Sequence, residues 1–296
     1  MTRGERIIQN AGIEYSRDVD ISRLCTIGVL SRAALLATPT TTDELARLVY
    51  MLCAEGIPYH VVGGMSNVLP SGELYNGVLV LTRRIDGKSI NGDRIFAECG
   101  ATLSSIVNLL MQNGLGGLAQ LYHIPGTLGG AVRGNSGAFG LEISDVLECA
   151  TVYLPDLNEK KKASAFEMQF GYRTSVIKTC GGIVLSAVLK AVPRDSVVTA
   201  AEISRLSELR ASQPRGVRTL GSTFKRVNGK SAGYYIDRCG LKGLAVGGAA
   251  VSEIHAGFII NRGGATPYDV LTLIDLIKDR VYNQFGVLLE EEIDHL

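Results

Sequence analysis

The sequence predicts an α+β protein of about two domains. Its length, 296 residues, exceeds what one hydrophobic core usually supports. Helical and strand-like patterns recur along the chain, and composition shifts near Pro193-Arg-Asp-Ser196. A hydrophobic share of 46% can fill such cores, and a charged share of 20% is ordinary for a soluble protein. With 30 Lys and Arg against 29 Asp and Glu, no broad basic field is available for nucleic acid or an anionic membrane. A small molecule is the expected partner.

Met1 to Arg17 is polar and lacks the apolar core of a signal peptide, and no later stretch is long and apolar enough to span a bilayer. A cytoplasmic address is expected. Cys25, Cys53, Cys99, Cys149, Cys180 and Cys239 are scattered without a Cys-x-x-Cys pair, so neither a zinc cage nor a disulfide framework is indicated. Buried, reduced thiols are expected. The four histidines show no metal spacing.

In chain order, Thr41-Thr-Asp-Glu44 reads as a capping box, followed by Leu45, Leu48, Val49 and Leu52 at helical spacing, with Gly56 as the stop. Pro58 to Val62 reads as a strand leading into Gly63-Gly64, and Val78 to Leu81 and Ile95 to Cys99 as further strands. Thr102 opens a helix through Leu103, Ile106, Val107 and Leu110, closed by Asn113-Gly114. Thr151 to Leu154 and Ile183 to Val192 are strand-like, with Lys160-Lys-Lys162 expected in a solvated turn between them. Past the composition shift come a helix carrying Ile203, Leu206 and Leu209, and a polar stretch through Gln213-Pro214. Ser231 to Gly240 reads as a short helix, and Ala249 to Ser252 and Gly257 to Asn261 as strands flanking His255. Thr266-Pro267 caps a long helix with Val270, Leu273, Ile274, Ile277 and Val281 on one face and Gly286 at its end. Val287 to Leu289 reads as a closing strand and Glu290 to Glu292 as a solvated tail.

The run Ile124-Pro-Gly-Thr-Leu-Gly-Gly-Ala-Val-Arg-Gly-Asn-Ser-Gly-Ala-Phe-Gly140 carries glycine too densely for an ordinary helix or strand. Glycine takes positive φ freely and lets an anion or a flat ring reach main-chain N–H groups. Pro125 fixes the entering turn, and Asn135 adds an amide that both donates and accepts. A tight corner with no ligand is the alternative for such a run taken alone. A second run, Val61-Val-Gly-Gly-Met-Ser-Asn-Val68, follows a strand, and two such loops suit one long, phosphate-bearing cofactor. Gly114-Leu-Gly-Gly-Leu-Ala119 matches a dinucleotide fingerprint, but it follows a helix instead of joining a strand to one, so a Rossmann fold is disfavoured. Phe170-Gly-Tyr-Arg-Thr-Ser175 and Gly221-Ser-Thr-Phe-Lys225 offer an arginine, a hydroxyl and a lysine, with a surface loop or turn as the alternative for each.

Gly63-Gly-Met-Ser-Asn67, Ile124 to Gly140, Gly171 to Ser175, Gly221 to Lys225, Ser252-Glu-Ile-His-Ala256 and Phe285-Gly-Val-Leu-Leu-Glu-Glu-Glu292 occur in one order. In that order they resemble the UDP-N-acetylenolpyruvoylglucosamine reductase family of peptidoglycan synthesis, in its shorter form, from about Thr26 to the C-terminus. The resemblance implies an FAD-binding domain of the vanillyl-alcohol-oxidase (PCMH) type, made of two α/β subdomains, over residues 1–195 with its core from about residue 28. A smaller α+β substrate-binding domain follows over residues 196–296. FAD is then expected against Gly63, Gly64, Met65, Ser66 and Asn67, against Gly100 and Ala101, and against Pro125, Gly126, Thr127, Gly129, Gly130, Ala131, Asn135 and Gly137, with main-chain N–H groups holding its pyrophosphate.

The chemistry implied is reduction of FAD by NADPH, then reduction of the enolpyruvyl ether of UDP-N-acetylglucosamine to UDP-N-acetylmuramate. Hydride adds to the enolpyruvyl double bond and negative charge flows into the adjoining carboxylate. The resemblance gives Arg173 and Glu292 the stabilisation of that charge and Ser222 the donation of the completing proton. Tyr172, Lys225, Arg226 and His255 fall at positions lining the substrate pocket. Glu290 holds the other acidic position of its motif. Strand alternation would put Glu290 and Glu292 on one face, so only the motif favours Glu292.

The chain departs from the family pattern at Leu30-Ser31, at Met65, at Arg226-Val227 and, more mildly, at Ser136 and Phe139. A side chain at Met65 is expected to crowd the cofactor, and Arg226 to alter the grip on substrate, although an added cation suits a diphosphate. Two other readings stand beside the reductase. One is an FAD oxidase or dehydrogenase of the same fold, marked by oxygen consumption and indifference to NADPH. The other is a flavin or nucleotide-sugar binder without turnover.

Overall fold

The computed structural model describes residues 1–296. In chain order the amino-terminal elements are α1 (Arg3–Asn10), β1 (Tyr15–Asp20), β2 (Arg32–Ala37), α2 (Thr42–Ala54), β3 (Tyr59–Val62), β4 (Val68–Leu69), β5 (Leu74–Leu81), β6 (Lys88–Asn91) and β7 (Arg94–Glu98). The middle of the chain forms α3 (Leu103–Gln112), β8 (Leu115–Gly116), α4 (Leu128–Arg133), β9 (Gly137–Ala138), β10 (Leu141–Glu142), α5 (Ile143–Val146), β11 (Leu147–Leu154), β12 (Glu159–Ser164), α6 (Val176–Thr179) and β13 (Ile183–Lys190). The remainder forms β14 (Val192–Pro193), α7 (Ser196–Leu209), β15 (Arg218–Ser222), α8 (Ala232–Arg238), β16 (Ala245–Val246), β17 (Ala249–Val251), β18 (Phe258–Asn261), α9 (Pro267–Phe285) and β19 (Asp294–His295). Two compact units emerge, neither contiguous in sequence. The first is Met1–Arg17, Leu35–Gly64 and Gly77–Leu209, and the second is Asp18–Ala34, Met65–Asn76 and Arg210–Leu296.

The first unit has two cores. In one, Leu45, Leu48, Val49 and Leu52 of α2 pack with Ile7 and Ile8 of α1 and with Val78 and Val80 of β5. There β3 and β5 run parallel, Tyr59 opposite Val78 and Val62 opposite Leu81. In the other, Leu103, Ile106, Val107 and Leu110 of α3 lie on a five-stranded sheet ordered β12-β11-β13-β7-β6, against Ile95, Ala97, Val184 and Leu189. Each such side chain contributes about 1.5–3 kcal/mol by burial, so apolar periodicity locates both helices. Two cores in one unit match the two α/β subdomains that the resemblance implies.

Local differences from expectation have physical causes. Thr41 accepts the Glu44 N–H (3.1 Å), but the Glu44 carboxylate reaches back to the Thr40 N–H (2.7 Å), so only half of the expected capping box forms. A complete capping box joins Thr2 and Glu5 and starts α1, in a segment from which no helix was expected. Lys160 to Lys162 lie in a strand, not a turn: β12 is the outer strand of its sheet, and exposed lysines on an edge oppose further strand pairing. The turn falls earlier, through Pro155–Leu157 and Asn158 at φ 49. All six cysteines are free, but only Cys25, Cys99 and Cys149 are buried, and Cys180 is exposed. The helix α7, placed beyond the composition shift, belongs to the first unit.

The second unit holds an antiparallel sheet ordered β15-β18-β17-β16. The buried face of α9 is Val270, Leu273, Ile274, Ile277 and Val281, as its spacing predicts. Thr266 caps the helix, and Gly286 ends it in the left-handed region (φ 65), which glycine enters without the Cβ penalty. Val287 to Leu289 form no strand. Pairing begins later: the Lys225 N–H donates to the Glu290 carbonyl (2.8 Å) and the Glu292 N–H to the Thr223 carbonyl (2.9 Å), after which β19 runs parallel to β4.

Candidate active site

The two glycine-rich runs meet in the first unit. A Cβ on Gly63 would stand 2.0 Å from Thr127 Oγ1, and one on Gly64 would stand 2.8 Å from Gly126 Cα. Only bare backbone permits this approach. Arg83, which no sequence pattern singled out, donates from Nε to the Gly63 carbonyl (3.2 Å) and from Nη2 to the Gly64 carbonyl (3.0 Å).

The glycines of the Ile124–Gly140 run, and Gly100 with Ala101 beside them, divide into two kinds. The N–H groups of Gly100, Ala101, Leu128 and Gly129 donate to the carbonyls of Ile85, Glu98, Ala101 and Cys99 at 2.8–3.0 Å. A Cβ on Gly100 would lie 2.0 Å from the Thr82 carbonyl oxygen, and one on Gly129 would lie 3.0 Å from the Cys99 Cβ. These N–H groups already have partners within the protein, and Gly100 and Gly129 serve close packing. Gly130 differs. It is exposed, and nothing beyond its chain neighbours and the backbone of its own helix lies within 4 Å of where its Cβ would stand. A helical glycine costs about 1 kcal/mol relative to alanine, and nothing in the protein's own packing calls for it there. Exposed bare backbone beside the paired loops fits close approach by a flat or phosphate-bearing group such as FAD.

Met65 takes φ 48 and is 2% exposed, so its side chain packs inside the protein. In the second unit, Asn67 Nδ2 donates to the Glu292 carbonyl (3.0 Å), engaging part of an amide expected to face the cofactor. Asn135 is 1% exposed. Its Nδ2 donates to Glu142 Oε2 (2.8 Å) and to the Gly171 carbonyl (3.1 Å), while Oδ1 accepts the Ser144 N–H (3.0 Å). With both amide hydrogens engaged, Asn135 braces the loop from within. Gly137 is a packing glycine as well, since a Cβ there would stand 2.6 Å from the Leu141 carbonyl oxygen.

Arg173 sits in a tight turn closed by hydrogen bonds between Gly171 and Thr174 in both directions (3.1 and 3.3 Å). It takes φ 59, a conformation that costs a non-glycine residue about 1–2 kcal/mol and that persists where surroundings over-determine it. Nη1 donates to the Asn135 carbonyl (3.3 Å) and Nη2 to the Gly137 carbonyl (3.2 Å). The guanidinium also lies over the half-exposed Tyr172 ring, 5.1 Å from its centroid. Sequence reading left this segment as a possible surface loop, and the structure makes it a fixed mount for one cation.

In the second unit, Ser222 closes β15 opposite Phe258 of β18, next to Gly221 at φ 83, and its side chain is exposed. Three successive glutamates lie alongside. Glu290 is ion-paired with Lys225. Glu291 is paired with Lys278 (2.5 Å) and His295 (2.8 Å); burial raises its carboxyl pKa, but the hydrogen bonds from Lys278 and His295, with the Lys278 charge, outweigh it and hold the carboxyl below the ordinary range. Glu292 is half-buried, its main chain held by Thr223 and Asn67. The expected solvated tail is thus a docked strand end. His255 is half-buried beside Phe258, with Nδ1 accepting the Gly257 N–H (3.1 Å), and burial lowers its pKa from 6.5. Arg226-Val227 opens a tight hairpin through Asn228 (φ 52) and Gly229 (φ 73), an Asn-Gly turn signal that sequence reading passed over. Leu30 and Ser31 are tied to the backbone, Leu30 through its N–H to the Ala265 carbonyl (3.0 Å) and Ser31 through Oγ to the Gly72 carbonyl (2.7 Å).

A cavity of about 1080 Å³ in the first unit, lined by Val152, Leu154, Ala163, Phe166, Phe170 and Val176 among others, contains none of the expected site residues.

Two family models match the chain: an FAD binding domain over residues 33–156, and the C-terminal domain of UDP-N-acetylenolpyruvoylglucosamine reductase over residues 213–296. A UDP-N-acetylenolpyruvoylglucosamine reductase of Caldicellulosiruptor bescii is 40% identical over 295 residues, 99% of this chain and 94% of the relative. Another, from Caldanaerobacter subterraneus subsp. tengcongensis, is 41% identical over 262 residues, 88% of this chain and 86% of the relative. The crystal structure of the Thermus caldophilus UDP-N-acetylenolpyruvylglucosamine reductase superposes with a TM-score of 0.81 at 33% identity, covering 96% of this chain and 98% of that one. The chain belongs to the UDP-N-acetylenolpyruvoylglucosamine reductase family.

Proposed function

We propose that the protein reduces UDP-N-acetylglucosamine enolpyruvate to UDP-N-acetylmuramate, with NADPH as reductant and FAD as prosthetic group, in cytoplasmic synthesis of peptidoglycan precursors. The geometry that carries this reading is the abutment of Gly63-Gly64 on Gly126-Thr127, with the exposed, unobstructed backbone of Gly130 in the same run. Bound FAD supplies storage of a hydride between NADPH and the enolpyruvyl double bond. The residues assigned to hold it are Gly63, Gly64, Ser66 and Asn67, and Pro125, Gly126, Thr127, Gly130 and Ala131, with Met65, Gly100, Ala101, Gly129 and Gly137 shaping the backbone around them.

Arg173 is assigned the negative charge that develops on the enolpyruvyl carboxylate as hydride adds. Its support is a guanidinium already oriented by two main-chain carbonyls, so little reorganisation is needed when the charge appears. Ser222 is assigned the proton that completes the reduction, its exposed hydroxyl being set at the end of a paired strand. Glu292 is assigned to assist at the carboxylate, and an acid in that role carries or shares a proton. The preference for Glu292 over its neighbours rests on its place in the motif that follows Phe285-Gly286. Tyr172, Lys225, Arg226 and His255 are assigned to the nucleotide sugar, with the cations suiting its diphosphate.

The test is NADPH consumption by the flavin-loaded protein with and without the enolpyruvyl nucleotide sugar. Consumption that depends on the sugar is expected. Oxygen uptake with an alcohol substrate and indifference to NADPH would replace this reading with an oxidase.

A further inference from the structure

Glu142 has no role in the reaction assigned above, yet it closes the network that holds Arg173. On β10 it stands in register opposite Gly137 of β9, with the turn between them made by Phe139 (φ 52) and Gly140 (φ 84). Gly137 is the residue whose carbonyl accepts Arg173 Nη2. One carboxylate oxygen of Glu142, Oε2, accepts Asn135 Nδ2 at 2.8 Å; the other, Oε1, lies 3.8 Å from Arg173 Nη1. That second separation is too long for a hydrogen bond, so its effect on the guanidinium is electrostatic. Asn135 carries the link onward: its Nδ2 also reaches the carbonyl of Gly171 at the base of the arginine's turn, and its own carbonyl accepts Nη1. The Glu142 main chain is fixed in turn by its N–H to Asp145 Oδ2 (2.8 Å).

Both main-chain carbonyls that accept from the Arg173 guanidinium are therefore linked to Glu142, that of Asn135 through its side-chain amide and that of Gly137 through the β9–β10 register. The carboxylate also sets a negative charge on one side of the guanidinium, opposing its movement away from the two carbonyls. We propose that Glu142 is a positioning residue for Arg173: it fixes the guanidinium where charge develops in the reduction of the enolpyruvyl group and does not itself touch substrate. This rests on the assignment of Arg173 above. A displacement of about 1 Å in a positioned group is sufficient to cost on the order of 100-fold in rate.

The test is a double-mutant cycle on the second half-reaction, reoxidation of the NADPH-reduced, flavin-loaded protein by the enolpyruvyl nucleotide sugar, with rates normalised to bound flavin. Glu142→Ala is expected to slow reoxidation about 10- to 100-fold, with the loss in kcat more than in KM. Glu142→Gln keeps an acceptor for Asn135 but loses the charge, and is expected between wild type and alanine. In an Arg173→Ala background, Glu142→Ala is expected to add no more than about a twofold loss, because its effect acts through the missing arginine. In the flavin-free protein, the Arg173 Nε–H resonance, assigned by its disappearance in Arg173→Ala, is expected to broaden or shift in Glu142→Ala. Losses that multiply in the double variant, or a Glu142→Ala protein that loses stability with no change in reoxidation, would overturn the proposal while leaving Arg173 in place. If Arg173→Ala alone reoxidises at the wild-type rate, both the arginine assignment and this proposal fall. Should Glu142→Ala not fold, the same cycle run with Glu142→Gln decides on the same criterion.

Discussion

Replacing Gly130 with alanine separates the needs of the fold from those of the cofactor. Gly130 is the third residue of α4, and nothing beyond its chain neighbours and the backbone of its own helix lies within 4 Å of where its Cβ would stand. Within the protein the added methyl meets nothing further, and alanine is favoured over glycine in a helix by about 1 kcal/mol. The flavin-free variant is therefore expected to match or exceed wild-type stability, by up to about 1 kcal/mol. A methyl inserted where FAD lies against the backbone costs about 1–3 kcal/mol by overpacking, which is on the order of 10- to 100-fold in affinity. Urea unfolding of the flavin-free protein gives the first quantity, and flavin titration followed by fluorescence gives the second. Unchanged FAD affinity in a stable variant would show that this backbone does not face the cofactor. A large loss of stability would show that the helix has packing needs not visible in its surroundings.

Gly63→Ala is expected to behave oppositely: with Thr127 Oγ1 only 2.0 Å from the new Cβ, the flavin-free protein should itself lose about 1–3 kcal/mol, read from the urea midpoint. Ser222→Ala is expected to leave reduction of the flavin by NADPH intact and to slow reoxidation by substrate about a thousandfold; equal losses in both half-reactions would remove the proton-donor role. His255 yields a pH prediction. Its folded pKa lies below the ordinary 6.5 because burial disfavours the charged ring, so the stability it contributes is complete above 6.5 and is lost as pH falls through the lower folded value. Protonation also removes the Nδ1 acceptor used by the Gly257 N–H. Between about pH 7 and about pH 5, urea midpoints should fall more steeply for wild type than for His255→Asn; parallel slopes would contradict this.

The legible parts of the chain were those decided within a few residues of one another. Thr266-Pro267 and Gly286 bracket α9 because capping and left-handed termination are local, and its apolar face follows from spacing alone. The Thr2 to Glu5 capping box and the Asn228-Gly229 hairpin were equally local signals that went unread. Lys160 to Lys162 show the limit of local reading, since an edge strand and a solvated turn both present lysines to water and only the pairing with β11, the preceding strand, distinguishes them. At the candidate site, the motifs gave the glycine runs, the arginine and the serine. They could not reveal that the Asn135 amide is consumed by Glu142, Gly171 and Ser144, or that Asn67 grips the Glu292 carbonyl, because those partners lie up to 225 residues apart. Glu142 and Arg83 were missed because neither lies in a motif, and their roles come only from the fold that sets them beside Asn135 and the Gly63-Gly64 carbonyls.

A single turnover under anaerobic conditions tests the central claim most directly. The flavin-loaded protein is bleached with one equivalent of NADPH and mixed with UDP-N-acetylglucosamine enolpyruvate. The account predicts that the visible flavin absorbance returns as the sugar is consumed, with one equivalent of UDP-N-acetylmuramate formed. A flavin that stays bleached in the presence of the enolpyruvyl sugar and recovers its colour only when oxygen is admitted would contradict it.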